Sequence, residues 1–177
     1  METETERFQE FKIEQILPED WQKYKALWLE ALTDSPQAFG YSFEELANRS
    51  DEEWQEKIRK NLAEGSKSRM FIAKEGEKFI GMMGFFEKRE NTANVFGVYV
   101  NPQFRGKKIS DKLMEAVLNS LKQELGFSEV ELTVNKNQTA AVEFYKRYGF
   151  LIVEEIKDVK MGDDTVCDEY LMRKEVK

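Results

Sequence analysis

Between Val95 and Leu125 the spacing of apolar residues changes once, and that change restricts the fold more than any other stretch of the chain. Val95, Phe96, Val98, Tyr99 and Val100 are β-branched or aromatic and read as a strand. Asn101-Pro102 stops it, because proline gives no N–H to a ladder and holds its predecessor out of a helix. From Ile109 the apolar positions fall four apart, at Leu113, Val117, Leu121 and Leu125, so a helix has begun. The connecting loop, Gln103-Phe104-Arg105-Gly106-Lys107-Lys108, sets a glycine among cations. A first helical turn has free N–H groups and a partial positive charge, so this layout suits an anion. Taken alone, such a loop is more often a plain solvated turn. A nucleotide P-loop is not. It needs G-x-x-x-x-G-K-[ST], and here Asn101 holds the first glycine place and Lys108 the last position.

The chain has 177 residues, enough for one domain with a full core. Residues 1–7 read as a loose acidic tail and 8–177 as that domain. There is no histidine, which removes the usual general base and the usual zinc ligand, so no metal site is expected. The single Cys167 has no internal partner and is surrounded by Asp163, Asp164, Asp168 and Glu169. It is a poor nucleophile and points to a reducing, cytoplasmic setting. No apolar run approaches a membrane span, and METETERFQE is too acidic for a leader. A net charge of −7 argues against nucleic acid as the main partner and is compatible with a cationic acceptor.

Taken in order, Phe8 to Leu17 reads as a strand, and Pro18-Glu19-Asp20 opens a helix that ends at Ser35-Pro36. An aromatic loop, 38–43, leads to a helical stretch at Glu44 to Asn48. Ser50 and Glu53 form a capping box for a helix running to Gly65. Strands 69–73 and 78–86 flank a hairpin turn at Glu75-Gly76-Glu77. After the central strand comes a helix over 106–125 with Gly126 as its cap, a strand over 130–134, and a helix from Gln138 to Tyr148 ended by Gly149. Strands at 150–153 and 166–172 complete an α/β chain.

Two motifs give a resemblance. V-x-P-x-x-R-G-K-x-I-S-x-x-L-M, at 100–114, resembles motif A of the GNAT superfamily of acyl-CoA-dependent N-acyltransferases, whose core is Q/R-x-x-G-x-G/A. Gln103 and Gly106 match it, while Lys108 stands where the family has Gly or Ala. A-x-x-F-Y-x-x-x-G-F, at 141–150, resembles the second GNAT signature in the same chain order. The likeness spreads to Leu29–Glu45 and to Asp168–Met172. It implies a mixed, mostly antiparallel sheet with a central splayed parallel strand pair, flanked by helices. It also implies acetyl-CoA as co-substrate and direct attack of an amine on its thioester. Pantetheine would lie against Val98, Tyr99 and Val100. The pyrophosphate would meet Gln103, Arg105, Gly106, Lys107, Lys108, Ile109 and Ser110. Asn137 or Gln138 would contact the cofactor, and Tyr145 would be the general acid. The family's strand glutamate is missing, with Gly97 in that strand, so the amine proton would leave through a water relayed to Asp168, Glu169 or Glu30, unless these acids are ordinary surface charges. Phe39, Tyr41, Phe43 and Tyr99 are candidates for an acceptor pocket or for plain packing. A non-catalytic acyl-CoA sensor is the alternative, and the oligomeric state, a homodimer included, is left open.

Overall fold

The structure is a computed structural model, and it describes residues 10–176. The expected tail at 1–7 and the start of the first strand at Phe8 lie outside them. Seven strands form one sheet: β1 (Lys12–Gln15), β2 (Arg69–Glu75), β3 (Lys78–Arg89), β4 (Thr92–Val100), β5 (Glu129–Asn135), β6 (Leu151–Lys160) and β7 (Val166–Glu175). Their spatial order is β1-β2-β3-β4-β5-β7-β6. Every pairing is antiparallel except β4 with β5. The helices are α1 (Trp21–Asp34), α2 (Phe43–Ala47), α3 (Asp51–Leu62), α4 (Ile109–Asn119) and α5 (Thr139–Arg147).

Each face of the sheet carries its own core. On one, α4 lays Ile109, Leu113, Met114 and Val117 against Ile80, Val95, Val130 and Leu132. On the other, Tyr24, Leu27, Trp28 and Ala31 of α1 meet Trp54 and Ile58 of α3 over Met70, Ile72 and Met82. The expected capping box closes α3: Glu53 N donates to Ser50 Oγ at 3.2 Å, and Ser50 N donates to Glu53 Oε2 at 2.7 Å.

Several boundaries differ from the sequence reading: β1 is shorter, Lys12–Gln15, α3 stops at Leu62, and β2, β3 and β7 run on to Glu75, Arg89 and Glu175. The helix after the cationic loop starts at Ile109, because 106–108 are still loop, and it ends in a π-helical turn at Ser120–Glu124 before Gly126. The strand at 150–153 continues to Lys160. It is an exposed edge whose charged residues hide the usual strand pattern. The central strand starts at Thr92, three residues before its apolar run.

Candidate active site

The parallel ladder joins Thr92–Asn94 to Glu129–Glu131 and ends there. Beyond it β4 and β5 run on to Val100 and Asn135 without pairing to each other. The cause lies in β4. Gly84 of β3 pairs with Phe96, but Met82 pairs with Tyr99, so β4 carries one extra residue opposite Met83. Gly97 absorbs it at φ +63°. The bulge changes strand parity: Val95, Val98 and Val100 face the α4 core, and Phe96 and Tyr99 the α1 core. A Cβ at 97 would stand 3.0 Å from Cζ2 of the buried Trp28, so close approach also demands glycine here.

The closed end is held by charge. The Glu131 carboxylate is buried and accepts from Lys88 at 3.0 Å, from Arg89 at 2.6 and 3.1 Å, and from Arg173 at 2.7 and 2.9 Å. These donors, Arg89 foremost, hold its acidity at about pKa 2 despite its burial.

At the open end, a single turn at Pro102–Phe104 follows β4. Asn101 Oδ1 accepts from Gln103 N at 2.9 Å, and its amide donates to Glu30 Oε1 at 2.6 Å. The Tyr99 hydroxyl donates to the same oxygen at 3.0 Å. Burial and this carboxylate push the Tyr99 hydroxyl's pKa up. Arg105 does not point a free guanidinium at the loop. Its Nε donates to the Val100 carbonyl at 3.0 Å and its Nη2 to Asp34 at 2.5 Å. Gly106 has φ +79°, and a Cβ there would meet nothing within 4 Å, so the loop backbone is open on that side. Lys108 is left-handed at φ +62°. That conformation favours glycine, which explains in physical terms the small residue of the motif it departs from. The first intrahelical bond of α4 runs from Lys112 N to Lys108 O at 3.1 Å. The N–H groups of Ile109, Ser110 and Asp111 therefore precede the helical ladder.

The facing wall is β5 and α5. Asn135 Oδ1 accepts from Asn137 N at 3.0 Å, shaping the turn into α5. Tyr148 donates to Asp111 Oδ1 at 2.9 Å and ties α5 to α4. Tyr145 is 6% exposed, packed edge-on against Phe144 and Phe150. Burial raises its pKa. Its hydroxyl has no hydrogen-bond partner among the described residues, yet the side chain lines the cleft.

The opening between these walls is a cleft of about 1460 Å³. It brings together Tyr145, Val98, Tyr99 and Val100 with Arg105, Gly106, Lys108, Ile109 and Ser110, and with Asn137 and Gln138 across from them. Gln103 and Lys107 are not part of its wall; Lys107 Nζ lies 5.2 Å from the Phe104 ring centroid. Phe39 and Tyr41 line the cleft, whereas Phe43 is 47% exposed outside it. Of the three acids considered as proton acceptors, only Glu169 lies in the wall. Burial raises its pKa. Asp168 is engaged by Lys136 at 2.7 Å and Lys157 at 3.0 Å, which hold its pKa far down, and Glu30 is the clamp described above. Cys167 is pushed up by burial and then by Glu169, the reverse of an activated thiol.

Sequence reasoning missed Lys57 of α3, which also lines the cleft. It follows Trp54 at helical spacing beside the buried stripe, where a charge reads as solvated surface. The aromatic loop is fixed from two sides. Asn135 Nδ2 donates to Gln37 O at 3.4 Å, and Gly162, in the β6–β7 turn, donates its N–H to Phe39 O at 3.0 Å. A Cβ on Gly162 would fall 1.9 Å from the Tyr41 carbonyl oxygen, so the turn can dock only with glycine.

The model of the acetyltransferase (GNAT) family matches residues 14–150. The chain belongs to that family. An uncharacterized N-acetyltransferase of Methanocaldococcus jannaschii is 39% identical over 71 residues, which are 40% of this GNAT chain and only 30% of that relative's length. A GNAT-family acetyltransferase from Streptococcus pneumoniae superposes with a TM-score of 0.82 at 18% identity, over 94% of this chain and 100% of that one. YncA of Salmonella typhimurium, solved with its cofactor acetyl-CoA, superposes at 0.77 with 16% identity and 94% coverage of both chains. At these identities the two structures establish the shared GNAT fold. The cleft's own features suit acetyl-CoA: unpaired strand backbone for an extended arm, and an open glycine loop at a helix N-terminus for phosphates. No helix among the described residues is long and apolar enough to cross a membrane.

Proposed function

We propose that this GNAT protein transfers an acetyl group from acetyl-CoA to a primary amine, and that residues 8–177 act as one cytoplasmic N-acetyltransferase domain. The observation that carries the reading is Tyr145, its hydroxyl without a hydrogen-bond partner among the described residues, lining the same cleft as a strand pair opened at Gly97. Bound acetyl-CoA supplies an activated thioester. The chain's own residues do the rest. The backbone of Val98–Val100 holds the extended arm as an added strand would. The N–H groups around Gly106–Ser110 receive the diphosphate, with Lys108 adding charge, and Asn137 and Gln138 line the opposite wall. Tyr145, kept protonated by its burial, gives its proton to the departing sulfur. Glu169, whose raised pKa makes it a better base than an ordinary surface carboxylate, takes the amine proton through water.

Calorimetry with acetyl-CoA and a thiol-release assay on Tyr145→Phe test this. Cofactor affinity should stay within about threefold while kcat falls on the order of 100-fold. Unchanged kcat would remove Tyr145 from the chemistry. Wild-type protein that binds acetyl-CoA but turns over no amine would support the sensor reading instead.

A further inference from the structure

The part of the cleft walled by α1, α3 and the β3–β4 hairpin is aromatic, with Trp28, Phe39, Tyr41, Phe86 and Phe96. Among the described residues Lys57 is the charged side chain lining this part, with Arg49 outside the wall, 5.1 Å from the Tyr41 ring centroid. Lys57 Nζ lies 5.7 Å from the Trp28 ring centroid, 5.8 Å from Tyr41 and 5.9 Å from Phe96. Other cations that reach the protein's inner surfaces meet carboxylates: Lys74 meets Glu14, Lys88 meets Glu131, and the neighbouring Arg49 meets Glu45 at 3.2 Å. Lys57 forms no ion pair among the described residues. Burial, with Arg49 adding repulsion, brings its pKa down to about 8. Glu45 offsets this in part from a distance, but no carboxylate is in ion-pair contact, and an ammonium held largely out of water without such a contact works against the fold, as a group kept for a ligand does.

A second donor stands one turn along the same helix. Asn61 also lines the cleft, and its Oδ1 accepts from Ser68 Oγ at 2.9 Å. Its amide NH₂ donates to no acceptor among the described residues. An ammonium and an amide one turn apart, beside an aromatic wall, match a carboxylate attached to an apolar body. They oppose a polyamine, because the place for a cation among these rings is already filled from within.

We propose that Lys57 and Asn61 form the subsite for a carboxylate on the amine acceptor, so that the acceptor class is apolar or aromatic amino acids. This rests on the acetyltransferase reading above. The selectivity follows from matching charge: the carboxylate pairs with Lys57, the side chain covers the rings, and the amine is left facing the splayed strands.

The test is a thiol-release panel of the L-amino acids against their decarboxylated amines, phenylalanine against 2-phenylethylamine and leucine against isoamylamine, with spermidine added. The acids should exceed their decarboxylated partners in kcat/KM by tenfold or more. Lys57→Met should erase that advantage by raising KM at little change in kcat, and Lys57→Arg should restore part of it. Acetyl-CoA affinity, measured by calorimetry on each variant, should not move, which also shows that each is folded. Equal or better use of the amines or of spermidine overturns the subsite but leaves acetyl transfer standing. So does an acid preference untouched by Lys57→Met. Turnover of nothing in the panel by protein that binds acetyl-CoA overturns the subsite too, and failure to bind acetyl-CoA takes down both readings.

Discussion

Along one seam between β4 and β5 the protein is zipped at Thr92–Asn94 and open from Val95 to Val100. The two ends are built from different physics. At the zipped end a buried carboxylate, Glu131, gathers Lys88, Arg89 and Arg173, and the strands are held by charge as well as by their ladder. At the open end there is no such charge in the strand. A single glycine bends the backbone, and helix and loop N–H groups line the space it leaves. The contrast teaches that this cleft is made by strand geometry and kept from spreading by electrostatics, so the two should fail separately.

Gly97→Val should have the largest effect, since it puts a β-branched residue at φ +63° and drives a Cβ towards Trp28. The expected cost is roughly 3 kcal/mol in urea unfolding, with acetyl-CoA affinity lost along with it. Glu131→Gln strikes the other end. It removes the buried charge that three cations share, leaving Glu129 as the remaining carboxylate for Arg89 and Arg173, and should cost about 2–3 kcal/mol, while the variant still binds acetyl-CoA below its unfolding midpoint. A normal loss of binding in that variant would mean that the zipped end sets the cleft's shape after all.

The pH dependence sharpens the same point. A glutamate held at about 2 in the fold and near the ordinary value when unfolded stabilises above that ordinary value. Its contribution is lost as pH falls from 4.5 towards 2. The stability difference between wild type and Glu131→Gln, from urea curves at successive pH values, should therefore shrink across that window. A difference that stays constant would remove the charge cluster as its source. The smallest effect belongs to Lys108→Gly. Relieving the left-handed backbone should gain about 0.5–1 kcal/mol, and Lys108→Ala should gain nothing.

Much of this was legible in the sequence. The switch of apolar spacing at Asn101–Lys108 located the loop, capping residues located α3, and the two motifs placed Tyr145 and the strand pair on one cleft. What was not legible had reasons. Gly97 reads only as a missing glutamate, because a positive φ leaves no mark beyond the glycine itself. β6 runs seven residues past its apolar start, since an edge strand exposed on both faces needs no alternation. The pairing of the Arg105 guanidinium with Asp34 of α1 was not legible either, because no local pattern announces a contact across that distance in sequence. Lys57 was hidden by the same rule that found α3, because amphipathic helices carry lysines on their outer face and only packing shows when one faces inward.

The docking of Gly162 on the aromatic loop has a consequence in time. The loop at 38–43 is synthesised early, but the turn that fixes it emerges roughly 120 residues later, on the order of ten seconds at ordinary translation rates. The aromatic loop is therefore fixed late, and so is the seam: Arg173, which completes the cluster on Glu131, and Glu169 in the cleft wall both follow Gly162 in the chain, so both sides of the cleft wait for β7.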